Sequence, residues 1–236
     1  MLPLSKQNGY RQRYRALNPQ WQTSGDTYER TVREAITKQT RLLDIGGGRG
    51  GLIEIIHDQV ATAAALDPDL PSLIDHRAPT VNRICGVADT LPFADNSFDL
   101  ITASWLLEHL DQPEAVFKEI HRVLDRNGRF IFLTPNFSHP LLITNYFLLR
   151  PLQHLLIPRL YARAEEDTFP VRYKVNTPSR LHRVCERVGF TLELSFIADP
   201  TYTAFNDPLF NLSVTLEKLI PQAWKIHLIG VAVKKT

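Results

Sequence analysis

The run Asp44-Ile45-Gly46-Gly47-Gly48-Arg49-Gly50-Gly51 ends a short apolar stretch on a carboxylate and then sets five glycines within six positions. Glycines permit a tight turn and let a ligand approach the backbone where a Cβ would stand, and a helix that starts there offers N–H groups to oxygen atoms. That is the chemistry of a nucleotide-type cofactor site; the plain alternative is a turn that only packs strand on helix. A second carboxylate, Asp67, closes the next apolar run just before Pro68. A carboxylate there meets paired ribose hydroxyls through charge-assisted hydrogen bonds, or else caps the helix that follows.

Gly46, Gly48 and Gly51 satisfy the dinucleotide fingerprint, with Asp67 near the spacing of its ribose carboxylate. Asp44 argues for another cofactor. It stands two residues before the first glycine, where a nicotinamide enzyme usually has an apolar strand residue, and it suits a cofactor with a positive amino-acid end. No later segment offers a hydride-transfer site.

These residues resemble the class I S-adenosylmethionine-dependent methyltransferases over 38–136, with Asp44 to Gly50 similar to the family's first motif and Leu66-Asp67-Pro68 similar to the end of its second strand. Leu91-Pro92-Phe93-Ala94-Asp95-Asn96-Ser97-Phe98-Asp99 and Leu107-Glu108-His109-Leu110 are similar to the segments that flank the family's fourth strand. The resemblance implies S-adenosylmethionine as cofactor, contacted by Asp44, Gly46, Gly48, Gly50, Asp67, Pro68, Ala88, Asp89 and Ser104. One departure is Val87, where similar proteins commonly carry an Asp near the adenine; Asp89 or the backbone around Ala88 would take that contact.

Methyl transfer from a sulfonium is an in-line displacement, so alignment supplies much of the rate, and a base is needed only for an acceptor that keeps its proton. His109 and His139 are the candidate catalytic residues, with Glu108 behind them. Related quinone-pathway enzymes hold a divalent metal with Glu-x-x-Glu-His; here Trp105 replaces the first carboxylate, and no metal is expected. The apolar, Pro- and Arg-interrupted segment 140–161 follows the fifth strand and could form a lid, a lipophilic pocket or a surface that touches membrane. The expected acceptor is a small or lipid-like molecule. Nucleic acid is not expected, since the net charge is only +2 and Arg11, Arg13 and Arg15 read as a solvated helix face.

Positioning such a loop requires alternating strands and helices. Strands are expected at 41–45, 60–66, 81–85, 98–103 and 130–133, with helices at 27–37, from about 51 and from Pro113, the last stopped by Gly128. A helix over 178–188, strands at 190–196 and 224–233, and a helix over 209–219 complete the chain. The pattern implies an α/β, Rossmann-like doubly wound, mainly parallel seven-stranded sheet with an antiparallel C-terminal edge strand. We read 1–236 as one domain: a helical lead-in (1–40), a cofactor-binding core (41–136), a lid or acceptor insertion (137–176) and the C-terminal part of the sheet (177–236). Cys85 and Cys185 read as small buried hydrophobes in a reducing, cytoplasmic setting, and no secretory signal is visible at the N-terminus.

Overall fold

The computed structural model describes residues 4–149 and 170–235. Seven strands form one sheet: β1 (Arg41–Ile45), β2 (Thr62–Asp67), β3 (Asn82–Cys85), β4 (Phe98–Ser104), β5 (Leu124–Pro135), β6 (Phe190–Ile197) and β7 (His227–Lys234). Their order is β3-β2-β1-β4-β5-β7-β6. The first five pair in parallel, which puts the ends of β1, β2, β4 and β5 along one rim. The expected antiparallel strand is β7, which enters between β5 and β6, pairs antiparallel with both, and brings its first residue, His227, to that rim opposite Pro135 and Ile197.

Strand residues alternate between two buried faces, as a sheet covered on both sides requires. Leu43, Ile45, Ile101, Phe130 and Phe132 pack on one side with Phe117 and Ile120 of α5 (Pro113–Val123) and Leu181 and Cys185 of α7 (Pro178–Val188). Leu42, Leu100, Ile131 and Ile229 pack on the other with Tyr28 and Val32 of α2 (Ser24–Arg33) and Ile53 and Ile56 of α3 (Leu52–Ile56). Each such side chain contributes roughly 1.5–3 kcal/mol relative to an exposed one. Gly230 belongs to this packing, because the Phe132 ring fills the space a Cβ would take.

The remaining helices are α1 (Leu4–Leu17), α4 (Leu70–Ile74), α6 (Pro140–Thr144) and α8 (Asp207–Glu217). Several boundaries differ from the sequence reading. The helix expected at 27–37 starts at Ser24, because Thr23 accepts from Asp26 N at 3.1 Å and Asp26 reaches back to Thr23 N, a capping box. The helix expected at 209–219 starts at Asp207, since Asn206 caps it through Leu209 N at 2.9 Å. Trp224 lies in a short 3-10 turn before β7 rather than in the strand. Cys85 is exposed, not buried, because β3 is an edge strand; Cys185 is buried as expected, and both thiols are free.

Candidate cofactor and acceptor site

The glycine loop leaves β1 at the rim, beside the end of β2. Gly46 N donates to Leu66 O at 2.8 Å and Gly50 N to Gly47 O at 2.8 Å, so the loop is folded onto the sheet by its own backbone. Gly46 (φ +78°) and Gly48 (φ +47°) occupy the left-handed region that other residues avoid. Gly50 answers to packing: a Cβ there would lie 2.5 Å from Glu54 Oε1, which accepts from Gly51 N at 2.7 Å. The helix expected from Gly51 is only the short α3, continued as a 3-10 turn.

Two carboxylates flank this loop. Asp44 is buried, and Thr102 Oγ1 donates to its Oδ1 at 2.6 Å. Burial pushes the Asp44 carboxyl up to about 7; the Thr102 hydroxyl opposes this and the neighbouring Asp67 adds to it. A buried carboxyl beside a second carboxylate gains most from an incoming cation. Asp67 is also buried, held by Gly48 N on Oδ2 at 2.9 Å and by Asp69 N on Oδ1 at 2.8 Å. Each oxygen keeps a second lone pair, enough for one hydroxyl apiece. The cap of α4 is Asp69, which accepts from Ser72 N at 3.0 Å, so Asp67 is not spent on capping.

The other expected cofactor residues lie along the same rim. Pro68 follows Asp67 and is exposed, and Gly86 N donates to Asp67 O at 3.1 Å, bringing the 86–89 loop beside it. Within that loop Ala88 is half-buried, and Asp89 and Val87 are exposed. Ser104, half-buried, ends β4.

Beyond Ser104 the rim becomes aromatic. Trp105 is left-handed (φ +57°), held by its N–H to Leu133 O at 2.9 Å, and its half-open ring stands edge-on to His227 with centroids 5.0 Å apart. A left-handed tryptophan is strained by roughly 1–3 kcal/mol. His227 and His139 are both buried. Desolvation drives His139 down to about 4, with the Lys225 charge adding to it, and His227 down to about 3, with His139 adding to it. His139 Nδ1 accepts from Leu141 N at 3.1 Å and caps α6, so its basic nitrogen is already engaged. His109 is half-buried and donates through Nδ1 to Pro170 O at 3.3 Å.

Glu108 is buried between β4 and β5, its Oε2 3.1 Å from Thr134 Oγ1, and desolvation pushes its carboxyl up to about 7. Turned with its oxygen toward Thr134, the Asn176 amide accepts from Thr134 Oγ1 at 2.6 Å and donates to Leu107 O at 3.2 Å. The Glu108 carbonyl accepts from Arg172 N at 2.6 Å, which ties 170–176 to the rim. Among the described residues no three His, Cys, Asp or Glu side chains are grouped to hold a metal ion. Residues 150–161 of the expected lid, with Arg150 and Arg159, lie outside the described residues.

His227 and Asn176 were not singled out from the sequence. Only the antiparallel return of β7 and the loop before α7 bring them to the rim, and no local motif marks either one.

Residues 43–132 match the family model for a methyltransferase domain. The chain is 37% identical over 102 residues, 42% of each chain, to a demethylmenaquinone methyltransferase of Renibacterium salmoninarum. It is 29% identical over 161 residues to a ubiquinone/menaquinone biosynthesis C-methyltransferase of Rubrivivax gelatinosus, covering 65% of this chain and 60% of that one. Both matches therefore span less than two thirds of the relative's length. The fold also matches the YcgJ protein of Bacillus subtilis with a TM-score of 0.62 at 15% identity, over 89% of this chain and 99% of that one. Residues 43–132, which include the glycine loop, are thus similar to a methyltransferase domain, and the fold as a whole is similar to that of the YcgJ protein.

Proposed function

We propose that this protein transfers the methyl group of S-adenosylmethionine to a lipid-like acceptor with a flat ring of the quinone type. The observation that carries the reading is the pair Asp44 and Asp67 on either side of the glycine loop, one buried and raised, the other pinned by two backbone N–H groups. They fit the two ends of that cofactor. Asp44 would take its cationic amino-acid end, the 46–48 backbone its flank and Asp67 its ribose hydroxyls, with Ala88 and Asp89 beside the adenine. When bound, the cofactor supplies a methyl group on a sulfonium.

The chain's own part is to orient and to exclude water. Trp105 offers an apolar wall at the rim, and the neutral rings of His139 and His227 line the space behind it without adding charge. Glu108, with its carboxyl raised to about 7, is better tuned than His139 to accept a proton near neutral pH. The quinone-type ring is supported by the names of the relatives and by the aromatic rim, and the accepting atom is carbon by the same analogy. A cytoplasmic location agrees with two free thiols.

The test is calorimetry followed by transfer. S-adenosylmethionine should bind and NAD should not, and radiolabelled methyl should pass to a demethylated quinol with a short prenyl tail. Cofactor binding without transfer to any acceptor would favour a binding module, for which the exposed Val87 in the adenine loop speaks. Binding of NAD instead would overturn the assignment.

A further inference from the structure

Glu108, Thr134 and Asn176 form a chain of polar side chains under the rim, and all of them are buried. They come from the turn Leu107–His109 after β4, from the end of β5 and from the loop before α7. That loop is tied to the other two segments. Arg172 N donates to Glu108 O at 2.6 Å, Tyr173 N to the same oxygen at 3.1 Å, and Phe137 N to the Asn176 carbonyl at 2.6 Å.

The Asn176 amide has one orientation that suits its neighbours. With its oxygen toward Thr134 it accepts from Glu108 N at 3.2 Å and from Thr134 Oγ1 at 2.6 Å, while its nitrogen donates to Leu107 O at 3.2 Å. Reversed, its oxygen would face the Leu107 carbonyl and its nitrogen the Glu108 N–H. A threonine hydroxyl has one proton to give and two lone pairs. With that proton on Asn176 Oδ1, Thr134 can only accept from Glu108, whose Oε2 lies 3.1 Å away. An ionised carboxylate has no proton to donate, so this contact is a hydrogen bond only when Glu108 is protonated.

The other ionisable groups on the segments around Glu108 are engaged elsewhere. Arg172 and Lys174 pair with Asp111 at 3.2 and 3.3 Å, His109 Nδ1 meets Pro170 O, and His139 caps α6. Burial, not a neighbouring charge, is what raises the Glu108 carboxyl.

We infer that Asn176 is a positioning residue for the acceptor chemistry: through the Thr134 hydroxyl it favours the protonated form of Glu108 and so makes that carboxylate a stronger base. The acceptor this serves is one that must lose a hydroxyl proton before it attacks. Its proton passes to Glu108 and its electron pair to the attacking atom; the new bond to the methyl carbon replaces the sulfonium C–S bond, whose pair returns to sulfur. The role as base rests on the function proposed above, whereas the direction of the hydrogen bonds does not.

The experiment is a pH titration of the glutamate carboxyl carbons by NMR, on the isotope-labelled full chain without cofactor or acceptor, with Glu108→Gln identifying the resonance. Thr134→Val should lower the proton affinity of Glu108 by about tenfold, because the acid loses the oxygen it donates to. Asn176→Ala should lower it by a similar factor, because the freed Thr134 hydroxyl turns to donate to the carboxylate. Thr134→Ser should titrate as the wild type, showing that the effect belongs to the hydroxyl. A rise in Thr134→Val would overturn the inference, since Thr134 would then be the donor in the wild type; so would an unchanged titration. Thr134→Val decides the sign even where Asn176→Ala does not fold. The acid limb of kcat for methyl transfer should move to lower pH in the same variants, and a limb that stays would overturn the role as base. The titrations need no acceptor, so they succeed or fail apart from the transfer assay that tests the proposed function.

Discussion

On the proposed pairing of Asp44 with the cationic end of S-adenosylmethionine, cofactor affinity is a function of pH. The Asp44 carboxyl is raised to about 7, chiefly by burial, so the empty site is largely protonated at pH 6 and largely ionised at pH 8. If the ionised form receives the ammonium end of S-adenosylmethionine, affinity follows the ionised fraction, about one eleventh at pH 6 and about ten elevenths at pH 8, a change of about tenfold in Kd. Binding at pH 6 should release about one proton and at pH 8.5 almost none, which calorimetry in buffers of differing ionisation enthalpy reads directly. Asp44→Asn should bind about tenfold to a hundredfold more weakly at pH 8, the worth of a hydrogen bond to a charged group, and its Kd should be flat with pH. Glu108 titrates in the same range, so Glu108→Gln is the control and should keep the wild-type slope. A wild-type Kd independent of pH, or a slope that survives in Asp44→Asn, would refute the pairing.

Three further outcomes follow from the geometry. Glu108 is raised above its ordinary value in the fold, so its contribution to stability is fully present below the unfolded pKa and is lost as pH rises through about 7; urea unfolding at pH 5 and pH 8 should show Glu108→Gln gaining on the wild type by about 2–3 kcal/mol. Trp105→Ala should raise the acceptor KM by about threefold to tenfold, the range of an aromatic contact, with S-adenosylmethionine binding unchanged; an unchanged KM would remove Trp105 from the acceptor wall. Gly230→Ala should cost about 1–3 kcal/mol in thermal or urea unfolding, because the new methyl meets the Phe132 ring.

Legibility in the sequence depended on whether a feature was local. β1 falls at Arg41–Ile45 and α7 at Pro178–Val188, as read, because an apolar run ending in glycine and a Thr-Pro start with a Gly stop are local signals. α2 starts ahead of the apolar spacing that marks it, because the Thr23–Asp26 capping box, a polar signal, sets its first turn. Cys85 came out exposed because strand order, not strand propensity, decides what lies at an edge. Asp44, the glycines and Asp67 belong to contiguous motifs, which is why the sequence offers them as candidates and the structure sets them along one rim. Trp105, His139, Asn176 and His227, the candidates for an acceptor wall, come from segments far apart in the chain that only the sheet brings to the rim, and His139 proves to be a helix cap whose ring is neutral.

The place of β7 bears on how the molecule is made. Among the described residues β6 pairs with no strand but β7, so it cannot join the sheet until residues 227–234 have been synthesised and threaded between it and β5. The cofactor loop can form on β1, β2 and β4 well before that, whereas the wall bearing His227 is the last part to arrive. On the ribosome the glycine loop and its two carboxylates thus emerge before the strand that brings His227 to the rim.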